Sequence, residues 1–484
     1  MKKKNILLSG ILVTLLTACN GGGNTTNSGK KEETIGTPWW TTEGEIVKND
    51  NGDIVFDDIH IQLTTIVAGD DLDPFRAIVG KFNEQHEGKI KVSVNYVAER
   101  SYAKEVADRI HNNSTPPDLL MTHQKFQKQL VHHKLIQPLD EVIEATGYEY
   151  DLNNYSTVLA EETNLDYKDA TFTLPIDIQS EIVLYNKKIL NELGKAVPTS
   201  REELLDVCKA FKEQYSYDSG YRAIALPTNC DHFPQYAYPT AYLQNGGSLY
   251  NENNYYAEWT DEKNMQAHKD ATEAIVSLDR DYQYTTLSDD YATARSRFNS
   301  KKALFLVIPP WLVEGTLSTY RTQNSVTTMD DVMDNHIGGA SLSGLFALDS
   351  SKDYAEDIYI DSHSFSISKS VTDKTTKAAC LYFAKWFTET PSIGVDWANA
   401  GHSSASSKIL NSEEYLSNKF VDEYMRKFYD INVVRTVGNN PYAAEFIESL
   451  HTLAANSVIN YSKIEAVVEE QQNLYNSNVE LASM

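Results

Sequence analysis

Aromatic and carboxylate side chains are the groups in this sequence whose types and clustering point most clearly to a chemistry. The chain of 484 residues contains 29 Tyr and 6 Trp, and six tyrosines share one short, Asn-rich stretch: Tyr236, Tyr238, Tyr242, Tyr250, Tyr255 and Tyr256. Aromatic rings can cover the apolar C–H faces of a ligand, while carboxylates, amides and imidazoles hydrogen bond with hydroxyl groups. Tyr242 is therefore a candidate contact, although many of these rings must lie in the core or on the surface.

Three further candidates follow predicted strands, where open α/β sheets place their ligands. Trp311 comes after a buried-strand pattern and two prolines, and it is either a stacking ring or a core residue. Asp177 could accept hydrogen bonds from two hydroxyls or cap a turn. His123 ends a predicted strand and could equally face solvent. Trp397 is a candidate second aromatic plate, with packing as its alternative role.

Motifs for catalysis, metals and cofactors are absent from the sequence. It has no Gly-x-Ser-x-Gly, His-Glu-x-x-His, phosphate loop or Cys-x-x-Cys. Asp70, Asp71 and Asp73 could suggest a calcium loop, but they lack the spacing of an EF-hand, and helix capping explains Asp73 better. We therefore predict no metal site, no cofactor and no enzymatic activity. A surface glycosidase is the rival, because 68 acidic residues provide many possible carboxylate pairs.

The cysteines do not define a disulfide framework. Apart from Cys19, the chain contains Cys208, Cys230 and Cys380, an odd number without a pairing motif. Cys208 and Cys230 could form a disulfide outside the cell. A buried free thiol is the simpler interpretation of Cys208, because it lies in a helical pattern.

The N-terminus resembles that of a bacterial lipoprotein. Lysines at positions 2–4 precede an apolar run over residues 6–16, which is shorter than the about 20 residues that span a bilayer. Leu-Thr-Ala-Cys at 16–19 resembles a lipobox, which implies a signal peptide over 1–18 and acylation, such as palmitate, on Cys19. An ordinary secretory signal with a chance cysteine is the alternative. Residues 19–36 are predicted to form a flexible tether.

The charge of the chain argues against nucleic acid as a partner. The formal net charge is −25, and loss of residues 1–18, which hold three lysines and no acidic residue, changes it to −28. A strongly acidic protein repels phosphate backbones. The length allows two or three domains, and one multi-lobed unit is the simpler prediction.

The apolar periodicity alternates between strands and helices along the chain. Strands are predicted over residues 54–56, 60–67, 89–96, 118–121, 181–185, 223–226 and 303–307, and helices over 75–82, 102–111, 126–133, 201–215, 377–388 and, almost continuously, 443–481. This alternation predicts an α/β fold with a largely parallel sheet.

A series of short motifs, in order, resembles the sugar-type extracellular solute-binding proteins of ABC importers, the family that includes maltose-binding protein. The motifs are Phe-Asn-Glu-Gln-His at 82–86, Pro-Asp-Leu-Leu-Met at 117–121, Leu-Ile-Gln-Pro-Leu-Asp at 135–140, Leu-Pro-Ile-Asp at 174–177, Leu-Tyr-Asn-Lys at 184–187, Pro-Thr-Ser-Arg at 198–201, Gln-Asn-Gly-Gly at 244–247, Lys-Ala-Leu-Phe at 302–305, Pro-Trp at 310–311, Phe-Ala-Lys-Trp-Phe at 383–387 and Ala-Gly-His at 400–402. The resemblance covers about residues 57–480.

The resemblance implies a two-lobed, periplasmic-binding-protein-like fold with a ligand cleft and three chain crossings between the lobes. We expect crossings just after Asp177, near residues 337–346 and near Gly401. Lobe 1 would comprise residues 57–178 and 340–400, and lobe 2 residues 179–339 and 401–484. Asp70, His363 and His402 join the candidate contacts because they fall where this family holds ligand or carries histidines. The two histidines could instead fasten loops.

The function implied is that of a monomeric, lipid-anchored receptor on the outer face of the cytoplasmic membrane, which passes a neutral sugar or oligosaccharide to an ABC permease. Departures from the family pattern, Pro309 before Pro-Trp and Ser403-Ser404 after Gly-His, leave two alternatives open. One is a surface adhesin or scaffold with the same fold. The other is a receptor for another polar solute such as glycerol phosphate.

Overall fold

The structure is a computed structural model that describes residues 38–148, 151, 154–155, 170–215, 220–428, 434–435 and 440–483. Trp39–Met484 forms one compact unit. The predicted signal peptide, the tether to residue 36 and Cys19 lie outside the described residues. Within the described ranges, no helix has the length and apolar character that crossing a membrane requires.

The chain alternates between short strands and helices, as its periodicity indicates. The strands are β1 Ile59–Thr65, β2 Ile90–Tyr96, β3 Leu119–His123, β4 Ile136–Gln137, β5 Leu174–Pro175, β6 Asp177–Ile178, β7 Ile182–Asn186, β8 Arg222–Ala225, β9 Ala303–Ile308, β10 Ile337–Ala340, β11 Ile358–Tyr359, β12 His363–Ser368, β13 Ser403–Ser404 and β14 Val434–Arg435. The helices are α1 Leu72–Gln85, α2 Tyr102–His111, α3 Gln127–His132, α4 Asp140–Thr146, α5 Lys187–Glu192, α6 Arg201–Gln214, α7 Tyr238–Gln244, α8 Glu262–Arg280, α9 Tyr291–Asn299, α10 Val313–Gln323, α11 Met329–Asn335, α12 Lys374–Glu389, α13 Pro391–Asn399, α14 Ser407–Leu410, α15 Glu413–Leu416, α16 Lys419–Glu423, α17 Ala443–Ile459 and α18 Ile464–Ser483.

The larger sheet has the strand order β2-β1-β3-β12-β4, with β5 also paired to β12. Pairing is parallel among β1, β2 and β3, but β12 runs antiparallel to its neighbours. Helix α1 buries Phe75, Ile78, Val79 and Phe82, which recur at helical spacing, in the main core. The prediction of a largely parallel sheet is correct only for the first three strands, because β12 enters from a distant part of the chain in the opposite direction.

The smaller sheet has the order β10-β7-β9-β8, in which β8 and β9 alone are parallel. All six residues of β9 are buried, as its continuous apolar sequence predicts. Together the two sheets form the mixed α/β architecture.

Short strands link the two sheets where the chain crosses between them. β6 pairs with β13, and the backbones of Gln179 and Asp361 exchange hydrogen bonds of 2.8 and 2.9 Å. The expected crossings just after Asp177 and near Gly401 adjoin β6 and β13. Strand β10, in the segment expected to hold the other crossing, belongs to the smaller sheet, and the residues after it pack on α7, where the Gln244 amide bonds to the backbones of Leu342 and Phe346. Asp361 lies just before β12, which belongs to the larger sheet, with one residue between them.

Most predicted elements are present, with small shifts at their ends. The helix over 102–111 coincides with α2, whereas the long helix over 443–481 is divided into α17 and α18 by a turn at Tyr461–Lys463. The prediction of a strand over residues 54–56 is wrong. There Ile54 makes an isolated antiparallel bridge to Lys48 and does not extend into a strand.

Candidate ligand-binding site

The crossings bring together four candidate residues that are far apart in the sequence. Asp177 lies in β6, His363 begins β12, and His402 directly precedes β13. Trp397 lies near the end of α13, one turn before His402. Each of the four residues is at most 5 % exposed, so the site has a closed, polar floor.

The Asp177 carboxylate is the centre of this floor. Its Oδ1 accepts a hydrogen bond of 2.7 Å from the backbone N–H of His363, and its Oδ2 accepts one of 2.9 Å from the indole N–H of Trp397. The Nδ1 atoms of His363 and His402 lie 2.9 and 3.5 Å from Oδ2. Burial raises the pKa of Asp177, but the two imidazoles outweigh it and hold that pKa well below its usual range.

His402 is parallel to two tryptophan rings. Its ring centroid lies 3.9 Å from that of Trp397 with a 6° interplanar angle, and 6.2 Å from that of Trp311 with a 9° angle. Its Nε2 is 3.5 Å from the Asp71 carboxylate. Burial lowers the pKa of His402, but Asp177 and Asp71 outweigh it and raise the value to about 9.

A second buried charge cluster adjoins the floor through His123. The His123 ring stacks on that of His363, with centroids 4.7 Å apart, and its Nδ1 is 3.0 Å from Asp361 Oδ2. Lys125 Nζ lies 2.8 Å from the same oxygen and 3.3 Å from Glu99. Burial raises the pKa of Asp361, but His123 and Lys125 outweigh it and lower that pKa. The cluster is therefore a buried, compensated set of charges.

A cavity of about 380 Å³ lies next to the floor and contains the solvent-accessible part of the site. Asp70, Asp71 and Trp311 line it, together with Arg295 from α9. The indole of Trp311 is held edge-on by His232 and Tyr236, with centroids 5.1 and 6.2 Å away. The cavity therefore offers one aromatic ring, carboxylates and a guanidinium to a bound molecule.

The sequence matches a family model. The model for the family of bacterial extracellular solute-binding proteins matches residues 77–418, well over half of the chain. The chain belongs to this family. No curated protein matches the sequence.

Solved structures with the same fold are distant in sequence. The acarbose-binding GacH receptor of Streptomyces glaucescens is 17 % identical, with a TM-score of 0.65 over 87 % of this chain and 98 % of that one. The maltotriose-bound MalE domain of Bdellovibrio bacteriovorus is 16 % identical, with a TM-score of 0.65 over 87 % and 100 %. A Listeria monocytogenes ABC substrate-binding protein in complex with cycloalternan is 15 % identical, with a TM-score of 0.61 over 88 % and 100 %. These similarities show a periplasmic-binding-protein-like fold for this solute-binding protein.

One candidate, Tyr242, is not brought to the site of this solute-binding protein. Its side chain is fully buried in α7, stacks on His268 with centroids 3.9 Å apart, and donates a hydrogen bond to the Ser248 carbonyl. A Cβ on Gly247 would lie 2.4 Å from the ring. Tyr242 is therefore a packing residue, the role that the sequence analysis left open for most of the tyrosine cluster.

Sequence reasoning missed several groups at the site: Gln179, Asp361, Lys125, Glu99 and Arg295. Asp361 lies two residues from the candidate His363, and Gln179 lies two residues from the candidate Asp177. Their position beside candidates at the expected crossings was the signal that could have identified them. Arg295 lies in the middle of a helix that the sequence analysis did not single out. Its guanidinium places a positively charged group in the wall of a cavity for which the sequence resemblance implies a neutral solute.

Proposed function

We propose that this protein is the substrate-binding subunit of an ABC importer and binds a neutral sugar or oligosaccharide for delivery to the permease. The observation that carries the proposal is the position of Trp311 in the cavity wall, parallel to the His402 ring. An indole face suits the C–H surface of a sugar, and Asp70, Asp71 and Arg295 supply partners for hydroxyl groups. Neighbours solved with acarbose, maltotriose and cycloalternan support a carbohydrate.

The proposed capture involves two lobes that follow the boundaries predicted above, with the second boundary moved to Asp361. The cavity walls support this division. One side of the cavity comes from segments next to the larger sheet and contains Asp70, Asp71 and Asp396. The other side comes from the smaller sheet, where Arg295 precedes β9 and Trp311 follows it. A solute in the cavity would contact both lobes and favour their closure, since a ligand shifts a population only by binding one state better.

The proposed location is the outer face of the cytoplasmic membrane, with a monomeric receptor held by acyl chains on Cys19. Two or three acyl chains bury enough CH₂ groups, at about 0.8 kcal/mol each, for stable anchoring. Labelling cells with a palmitate analogue should mark the wild-type chain. Cys19→Ser should abolish the label and release the protein from the membrane fraction, and unchanged labelling would contradict the anchor.

A ligand panel tests the proposed binding. Purified protein is heated with mono- and oligosaccharides, polyols and glycerol phosphates, and its melting temperature is recorded. A true ligand at 100 times its Kd should stabilise the folded state by about 2.7 kcal/mol. A panel without any shift would favour the adhesin alternative, and turnover of an oligosaccharide would contradict a purely binding role.

Arg295 favours glycerol phosphate as a second candidate ligand. A guanidinium is the group that proteins most often use for bidentate phosphate recognition, and Arg295 lines the cavity that contains Trp311. Arg295→Gln separates the candidates. It should abolish a phosphate-induced shift in melting temperature while weakening a neutral sugar far less.

A further inference from the structure

Three metal-ligating side chains converge at the point where the chain crosses between the sheets. One donor atom from each of Asp177, His363 and His402 lies within 4.8 Å of the other two. Both histidines direct Nδ1 at the same oxygen, Asp177 Oδ2, from 2.9 and 3.5 Å. Donor atoms about 2.0–2.2 Å from a tetrahedral metal lie roughly 3.3 Å from each other, so the spacing of these donors matches that of a metal site.

The groups around the three donors have the arrangement of an outer shell. The Nε2 of His402 is 3.5 Å from the Asp71 carboxylate. The Nδ1 atoms of His402 and His363 both lie within hydrogen-bond distance of the side-chain amide nitrogen of Gln179, so this amide must turn aside when a metal binds. The backbone N–H of His363 and the indole N–H of Trp397 fix the two oxygens of Asp177. A carboxylate that orients a ligating imidazole, and hydrogen bonds that fix a ligating carboxylate, are regular companions of protein metal sites.

We propose that Asp177, His363 and His402 bind a divalent transition-metal ion, for which Zn²⁺ is the best fit, with Asp71 and Trp397 as outer-shell groups. Two imidazoles and one carboxylate suit Zn²⁺, whereas Ca²⁺ and Mg²⁺ require mostly oxygen ligands. The proposal does not depend on the nature of the transported solute.

A metal at this position would join all three crossings. Asp177 belongs to the first, His363 follows the second at Asp361, and His402 precedes the third at β13. The ion would fix the polar floor beneath the cavity and restrict relative movement of the crossing segments. A Zn²⁺-dependent increase in melting temperature is therefore expected.

The experiment measures metal binding directly on the tag-free chain after dialysis against EDTA. The wild type should retain one Zn²⁺ per chain through gel filtration, and Co²⁺ should give the visible absorption bands of a low-coordinate site. His363→Gln, His402→Gln and Asp177→Asn should each weaken Zn²⁺ binding, measured against a competing chelator, by at least about 100-fold. Asp71→Asn should weaken it by roughly 10–100-fold, as loss of an outer-shell group does.

His336→Gln is the matched control, because His336 is also mostly buried but bonds to Tyr320 and Lys188 away from the crossings. It should leave Zn²⁺ affinity unchanged. The proposal is overturned if the wild type retains no Zn²⁺, or if folded variants bind it as tightly as His336→Gln does. Should the ligand variants not fold, the wild-type stoichiometry and Co²⁺ spectrum decide. A sugar panel repeated with EDTA-treated and Zn²⁺-loaded protein separates failure of this site from failure of the proposed transport function.

Discussion

Trp397 lies face to face with His402, with ring centroids 3.9 Å apart, and at the same time donates its indole N–H to Asp177 at 2.9 Å. Trp397→Phe should keep an aromatic ring stacked on His402 but remove one hydrogen bond to the buried carboxylate of Asp177. We expect a loss of about 1–3 kcal/mol in the free energy of unfolding, measured by urea denaturation. Trp386→Phe is the control, since its indole N–H bonds to the exposed Gln85 and should cost under about 1 kcal/mol. Equal losses in the two variants would contradict a structural role for the Asp177 bond.

Trp311 should contribute to solute affinity without supporting the fold. Trp311→Ala removes the ring that lines the cavity, and we expect affinity for the solute found in the panel to fall at least about tenfold, or about 1.4 kcal/mol. Isothermal titration calorimetry measures the change. Trp386→Ala removes an indole outside the cavity and should leave affinity unaltered. An unchanged Kd in Trp311→Ala would remove this ring from the site.

Glu181 should make the protein less stable as pH rises. The side chain is buried beside Tyr291, whose hydroxyl donates to it at 3.0 Å, and burial raises the pKa of Glu181 to about 8. Because the folded state holds this proton more tightly than the unfolded chain, stability falls between about pH 4.5 and pH 8. Glu181→Gln removes that dependence, and its free energy of unfolding should exceed that of the wild type by up to about 5 kcal/mol near pH 9.

Urea denaturation at about pH 5 and about pH 9 tests this prediction, with the exposed Glu87→Gln as control. The difference between Glu181→Gln and the wild type should grow with pH, whereas the Glu87→Gln difference should stay constant. A constant difference for Glu181→Gln would mean that Glu181 is ionised in the folded protein.

Gly401 should be intolerant of a side chain. Its φ is +94°, and an added Cβ would lie 2.3 Å from Trp311 Cα and 2.5 Å from the Pro310 carbonyl oxygen. Backbone cannot move aside as a flexible side chain can, so Gly401→Ala should destabilise the fold by more than about 2 kcal/mol and disturb the Trp311 wall. Gly80→Ala, in α1 with open space around it, should instead be neutral or stabilise by up to about 1 kcal/mol. Thermal unfolding of both variants provides the comparison.

The sequence could predict the elements and most of the candidate residues because both depend on local patterns. Apolar spacing of 3.6 or 2 residues identifies a helix such as α2 or a strand such as β9 without knowledge of its neighbours. Trp311, Asp177 and His402 were found because each follows or joins a recognisable element or motif. The order of such motifs also sufficed to indicate the solute-binding family, which the match over residues 77–418 confirms.

Only the tertiary structure decided which of these residues meet. Asp177, His363 and His402 are separated by 39 to 225 residues in the chain, and their contact depends on the pairing of β6 with β13 and of β12 with β3. Tyr242 and Trp311 are both aromatic candidates in the sequence, yet α7 directs one into the core and the loop after β9 places the other in a cavity wall. Long-range strand pairing and the burial of charged side chains have no local sequence signature, and for that reason the buried charges of Lys125 and Asp361 became visible only in the folded chain.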